Sequence, residues 1–305
     1  MRNSDNLCGW RFVPLTEFLV WATNRSAINT AVGRSSVHVS LFSIDRRTPR
    51  LNLTTAIANA GIILDERFVT MMLVVFVAGI VRGFTGFGSA LLAVPALAVI
   101  YGPVQAVVIE VLIEVPVCLG LLPTAVKHAE RRAILPMIAM FMLFVPLGAV
   151  LLSVTNPDIV KILISLFVVF AVVLMWQQPR VTNVISPKAN YVVGALSGTT
   201  QGLTGMAGPV FATALIARGD NSVRTRANIS ALACGIIFFS VVSFLVLDLL
   251  TVELAVYALL ASPAILLGVL VGSLLFSSYG GRKLREVILS FLAIIAIFTL
   301  VDTFG

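Results

Sequence analysis

Two carboxylates, one arginine and two glycine-rich runs are the residues here whose types and spacing suit chemistry. Glu110 and Glu114 stand four apart in an otherwise apolar stretch, a spacing that sets both on one face of a helix. An ionised carboxylate at membrane depth costs at least about 2.5–3.5 kcal/mol, so such residues face a cavity or a partner, and proton carriage is the chemistry expected of them. The plainer alternative is a position near a helix end, wetted or paired with a loop arginine. Arg82 directly precedes the first run, Gly83-Phe84-Thr85-Gly86-Phe87-Gly88. It is a natural positive partner for an anion or for Glu110, with snorkelling to the interface as the alternative. The second run is Gly202-Leu203-Thr204-Gly205-Met206-Ala207-Gly208-Pro209, with Gln201 in the place of Arg82.

Three glycines within six or seven residues weaken a helix interior by about 1 kcal/mol each, and Pro209 suits the first turn of a new helix. Each run therefore predicts an unwound turn between two half-helices. Unbonded N–H groups and the dipole at a half-helix start favour an anion, and Thr85 and Thr204 would add hydroxyl donors. Neither run is a nucleotide fingerprint, because the glycine spacing is wrong and no strand precedes it. Glycines four apart also let helices approach closely. For Gly194 and for Gly268 with Gly272, packing is the expected role.

The elements that must position these residues follow from composition. Of 305 residues 59% are apolar and 11% charged, and thirteen of the 35 charged residues fall in the first 67. What is left cannot coat a water-soluble globule. The reading is an all-α polytopic membrane protein; long unbroken apolar runs do not fit a membrane barrel. Residues 1–67 form an Arg-rich polar extension with eight arginines and no lysine. It reads as a transit peptide, a regulatory extension or, the option favoured, a stretch upstream of the start the cell uses.

The remainder repeats. A shift of 119 positions lays Gly79, Gly83, Thr85 and Gly86 on Gly198, Gly202, Thr204 and Gly205. Further on, Gly148–Leu152 resembles Gly272–Phe276, and Lys161–Ser165 resembles Val287–Ser290. The expected units are a repeat over 68–176, a linker at 177–189 and a second repeat over 190–305. Apolar segments are expected at 68–82, 89–100, 103–123, 134–153 and 159–176, then at 190–201, 207–217, 226–247, 254–276 and 285–303. The first two of each half are too short to span. Paired short, glycine-interrupted segments at matching places in two halves point to a transporter's binding site.

Loop charges separate two topologies. If each short pair is one broken spanning helix, the Lys/Arg count beyond the extension, leaving out Arg82 inside the motif, is five on one side against seven on the other. If each pair is a re-entrant hairpin, every half crosses three times and the halves are inverted. The count then becomes eleven on one side against Lys161 alone on the other. The second arrangement satisfies the positive-inside bias and makes the Lys127–Arg132, Arg218–Arg226 and Arg282–Arg285 loops cytoplasmic.

Cys118 and Cys234 read as small core hydrophobes, Cys8 lies in the extension, and His38 and His128 read as solvated. No cofactor, metal site or nucleic-acid face is indicated. An intramembrane enzyme would need a nucleophile–base pair or a metal triad, and no HExxH, GxSxG or paired intramembrane Asp motif occurs. A channel for anions is the other alternative to a transporter.

The stretch Gly79-Ile-Val-Arg-Gly-Phe-Thr-Gly-Phe-Gly-Ser-Ala-Leu-Leu-Ala-Val-Pro95 resembles the first signature of the sulfite exporter TauE/SafE family. The stretch Gly202-Leu-Thr-Gly-Met-Ala-Gly-Pro209, followed by Arg226-Ala-Asn-Ile-Ser230, resembles its second. The resemblance covers about 68–303. It implies a multi-pass permease of the plasma membrane (the bacterial inner membrane), taking sulfite, sulfoacetate or related small organosulfur anions; the proton as coupling ion is the expectation from Glu110 and Glu114. By that similarity Gly83, Thr85, Gly86 and Gly88 carry over from the first signature. Gly202, Thr204, Gly205, Gly208 and Pro209 carry over from the second, with Asn228 and Ser230 after it. The chain departs from the family pattern where Val107-Val108-Ile109-Glu110 replaces an Ala-Asn/Thr-rich stretch, so its first-half site is built differently.

Overall fold

The computed structural model describes residues 66–176 and 187–279. The extension up to residue 65, most of the expected linker and the segment expected at 285–303 lie outside the described residues. Within them the chain forms nine helices and no strand: α1 Glu66–Thr85, α2 Ser89–Tyr101, α3 Pro103–His128, α4 Arg131–Val154, α5 Pro157–Trp176, α6 Pro187–Thr204, α7 Gly208–Ala217, α8 Ser222–Val246 and α9 Val252–Tyr279. Six of these (α1, α3, α4, α5, α8 and α9) are long and apolar enough to cross a membrane, while α2 and α7 are short. The protein is an all-α multi-pass membrane protein.

Each of the nine described segments matches one helix. Two of these helices run on into the glycine runs expected to break them. Both α1 and α6 continue past Arg82 and Gln201 to end at Thr85 and Thr204, so α1 reaches a spanning length of 20 residues. The reason lies in what Gly83 and Gly202 touch. A glycine in mid-helix costs about 1 kcal/mol, but here each opens a close helix crossing that a side chain would prevent.

In the first crossing α1 lies on α9. A Cβ on Gly79 would sit 2.6 Å from the Ile265 carbonyl oxygen and 3.1 Å from the Gly268 Cα, one on Gly83 would enter the Val269 backbone, and one on Gly272 would enter that of Ile80. In the second, α6 lies on α4. Gly194 faces Met137, Gly198 faces Phe144 and Val145, and Gly202 faces Val145, Gly148 and Ala149. Residue numbers climb together along both crossings, so each pair is parallel. The broken helix of each half thus rests on a long helix of the other half. By contrast, α3 and α8 run antiparallel, because Cys118 meets Cys234 while Glu130, just past α3, meets Asn228 near the start of α8.

The α4–α6 crossing gives a stability prediction. In Gly202→Ala the new methyl drives into the Val145 carbonyl and lies 2.5 Å from the Ala149 nitrogen. Both obstacles are backbone, so whole helices must part. Overpacking of this kind costs about 1–3 kcal/mol or more. The expected result is a lower melting temperature in detergent and a lower yield of monodisperse protein than for Gly235→Ala, whose methyl meets only Ile138 side-chain atoms at 3.5 Å or more.

Candidate functional site

The first glycine run breaks the chain where expected. After Thr85 come Gly86 at φ 84° and Gly88 at φ 98°, and α2 begins at Ser89. Left-handed backbone of this kind strains any residue with a Cβ, hence glycine. The second run breaks likewise, with Gly205 at φ 72° and α7 starting at Gly208. The two breaks are built alike. Gly86 N–H donates to the Arg82 carbonyl at 2.7 Å, and Gly205 N–H to that of Gln201 at 2.8 Å. The Thr85 hydroxyl donates to the Val81 carbonyl at 2.8 Å, and the Thr204 hydroxyl to that of Thr200 at 2.7 Å. Each pair of partners is related by the same shift of 119. The breaks also touch: a Cβ on Gly208 would lie 3.2 Å from the Phe87 ring and 3.7 Å from the Gly88 nitrogen.

Around the first break lies a buried ionic cluster. Arg82, in the last turn of α1, places Nη2 2.8 Å from Glu114 Oε2. Ser89, the first residue of α2, sets its hydroxyl against Glu114 Oε1 and 3.2 Å from Glu110 Oε1. All four residues are less than a tenth exposed, with Arg82 at 7%, Glu110 at 3% and Glu114 at 2%. One guanidinium therefore faces two carboxylates that share one hydroxyl. The carboxylates gather at the N-terminus of α2, where the helix dipole favours negative charge. Arg82 Nε is buried and has no hydrogen-bond acceptor among the described residues. At the second break Gln201 takes the corresponding position, and its Oε1 accepts the Ala207 N–H at 3.1 Å, capping α7.

The structure brings Arg82, Gly86, Gly88, Glu110 and Glu114 to the first break, and Gln201, Thr204, Gly205 and Gly208 to the second. Phe84 is buried beside the first. Gly83 and Gly202 stand on the packed faces of α1 and α6, held by helix crossings. The threonine hydroxyls are already turned onto their own helices, and Thr85 also bonds Phe87 across the first break. Asn228 is not with the cluster. It is fully buried, but its Oδ1 accepts the Glu130 N–H at 2.7 Å, beyond the far end of α3. From the Cys118–Cys234 contact Glu110 lies eight residues one way and Asn228 six the other, about 20 Å apart along the axis. Ser230 is buried two residues further along α8. Next to Asn228, Arg218 spans from Asp220 at 3.1 Å to Glu130 at 3.5 Å, joining the two loops. Sequence reasoning missed Ser89; the signal was available, since Ser89 falls on Gly208 under the shift of 119. Among the described residues no group of three metal-ligating side chains comes together.

The sequence profile described as sulfite exporter TauE/SafE matches residues 71–299, about three quarters of the chain. The chain belongs to the TauE/SafE family. No curated protein and no solved structure matches it significantly. TauE/SafE is a family of membrane transporters, and the protein is accordingly a multi-pass membrane transporter. Both breaks and every member of the Arg82 cluster lie inside the TauE/SafE match. The TauE/SafE profile also reaches residue 299, across the region of the tenth expected segment.

Proposed function

We propose that this chain is a proton-coupled secondary transporter of a small anion such as sulfite, sulfoacetate or a related organosulfur or organic acid, working in the bacterial inner membrane. The observation that carries the reading is the Arg82–Glu114 pair with Glu110 on the same serine. Its formal charges are one positive and two negative. In a low-dielectric site the cluster is neutral when one proton is held between the two carboxylates. For Arg82 to take a monovalent anion in place of Glu114, neutrality requires a second proton. Anion and proton then bind together, one for one. The unoccupied Arg82 Nε donor, the open space beside Gly86 and the N-terminus of α2 supply the anion's surroundings.

The halves are read as inverted repeats with re-entrant glycine hairpins. The antiparallel course of α3 and α8, which hold matching places in the two halves, supports this, as does the loop-charge asymmetry. The Lys127–Arg132 and Arg218–Arg226 loops are then cytoplasmic.

Vesicles containing the purified protein are expected to show saturable flux of one or more of sulfite, sulfoacetate, sulfate and lactate, enhanced by a pH gradient. Flux of none of the four, or unitary currents in planar bilayers, would overturn the assignment.

A further inference from the structure

A crevice of about 560 Å³ opens to the outside between α3, α4 and α8. Its α3 wall is Val115, Cys118, Leu119, Leu122 and Val126, a single stripe at helical spacing. The crevice faces outward, since Leu119 and, on α4, Leu135 are each 57% exposed. From Val115 to Val126 it runs about 16 Å along α3, close to half the roughly 30 Å hydrocarbon thickness of a bilayer. It ends at the α3–α4 loop, where Arg131 forms part of the lining and Lys127 and Arg132 are exposed nearby. None of these three cations pairs with a carboxylate among the described residues. The nearest acid in the chain, Glu130, is engaged by Arg218 at 3.5 Å. A groove one leaflet deep, apolar along its length and cationic at its mouth, matches a phospholipid.

We infer that this crevice binds the acyl chain of an anionic phospholipid, with the headgroup phosphate on Arg131. The lipid belongs to the leaflet on the α3–α4 loop side, the cytoplasmic one in the orientation proposed above. A second copy of the chain is a poorer occupant. A two-fold dimer through this face would set Lys127, Arg131 and Arg132 against their own copies. The site joins helices of both halves, since α3 and α4 precede the linker and α8 follows it. Its inner end adjoins the Arg82 cluster, since Val115 directly follows Glu114, but the inference does not depend on which substrate is transported.

Cys234 reports occupancy directly, because it lines the crevice and is only half-buried, while Cys118, also in the lining, is buried and serves as a slower second reporter. The full chain carrying Cys8→Ser is reconstituted in vesicles of phosphatidylcholine, or of equal parts phosphatidylcholine and phosphatidylglycerol, and labelling of Cys118 and Cys234 by N-ethylmaleimide is timed. Labelling is expected to be about fivefold slower with phosphatidylglycerol, and Arg131→Gln should abolish the difference, since one basic residue near an anionic surface is worth about that factor. Leu122→Trp, which fills the groove, should slow labelling in both lipids. Equal rates in the two lipids for the Cys8→Ser protein would overturn the proposal. So would protection that rises with protein density and accompanies a cross-linkable dimer.

Discussion

Arg82→Gln is expected to lower anion flux in vesicles by between about thirtyfold and a few thousandfold. The guanidinium is the cluster's one cation, it is 7% exposed, and its partner Glu114 lies 2.8 Å away. Truncating one side of a buried, hydrogen-bonded charge pair costs about 2–5 kcal/mol, which gives that range. The same change leaves two carboxylates without a counter-charge and is expected to destabilise the fold by about 3–5 kcal/mol. A flux loss alone would therefore not separate binding from folding. The double variant Arg82→Gln/Glu114→Gln does so. It removes the stranded charge and should recover yield and melting temperature, while flux stays low because nothing positive remains to meet the anion. Flux at the wild-type level in that double variant would refute a role for Arg82 in binding.

The second large effect concerns coupling. With one proton bound per monovalent anion, a difference of one pH unit sustains about a tenfold accumulation of anion on the alkaline side. In Glu110→Gln/Glu114→Gln both proton acceptors are gone and Arg82 keeps its charge. This variant is expected to exchange labelled for unlabelled anion across the membrane, yet to hold no accumulation when a pH gradient is imposed. Either single variant leaves one carboxylate to pair with Arg82 and accept the proton, so each should still accumulate. Accumulation persisting in the double variant would place the coupling proton elsewhere.

Much of the site is legible in the residues. The two breaks are written as glycine-threonine runs in one register, and the structure repeats even their hydrogen bonds at the same shift of 119. The ionic cluster is half legible. Glu110 and Glu114 share a face by spacing alone, and Arg82 is named as a partner for an anion or for Glu110. The residue it touches is Glu114, one turn further along α3, and that choice depends on how α1 and α3 sit in three dimensions. Glycine is the hardest letter to read. Gly83, Gly86 and Gly88 look alike in a run, but Gly83 has the Val269 backbone against it and Gly86 has open space. Whether a glycine serves a crossing or a turn is decided by the neighbouring chain. Asn228 misleads for a related reason. It falls near Glu110 when the halves are aligned, but α3 and α8 run in opposite directions, so alignment partners end up far apart. Five of the six spanning-length helices follow directly from composition, because twenty apolar residues have few other homes; α1 is the exception, reaching spanning length only by running on through Gly83 to Thr85.

Gly79 and Gly268 lie nearly two hundred residues apart in the sequence, yet the backbones around them are in contact. During synthesis α1 must therefore wait for α9. At about 5–20 residues per second the delay is on the order of ten to forty seconds. Throughout it the glycine face of α1 has only lipid or the insertion machinery for company. The chain cannot mature as an N-terminal half followed by a C-terminal half. Biogenesis ends with the closing of a clasp, and a ribosome stalled before α9 leaves an orphaned first helix for quality-control proteases to find.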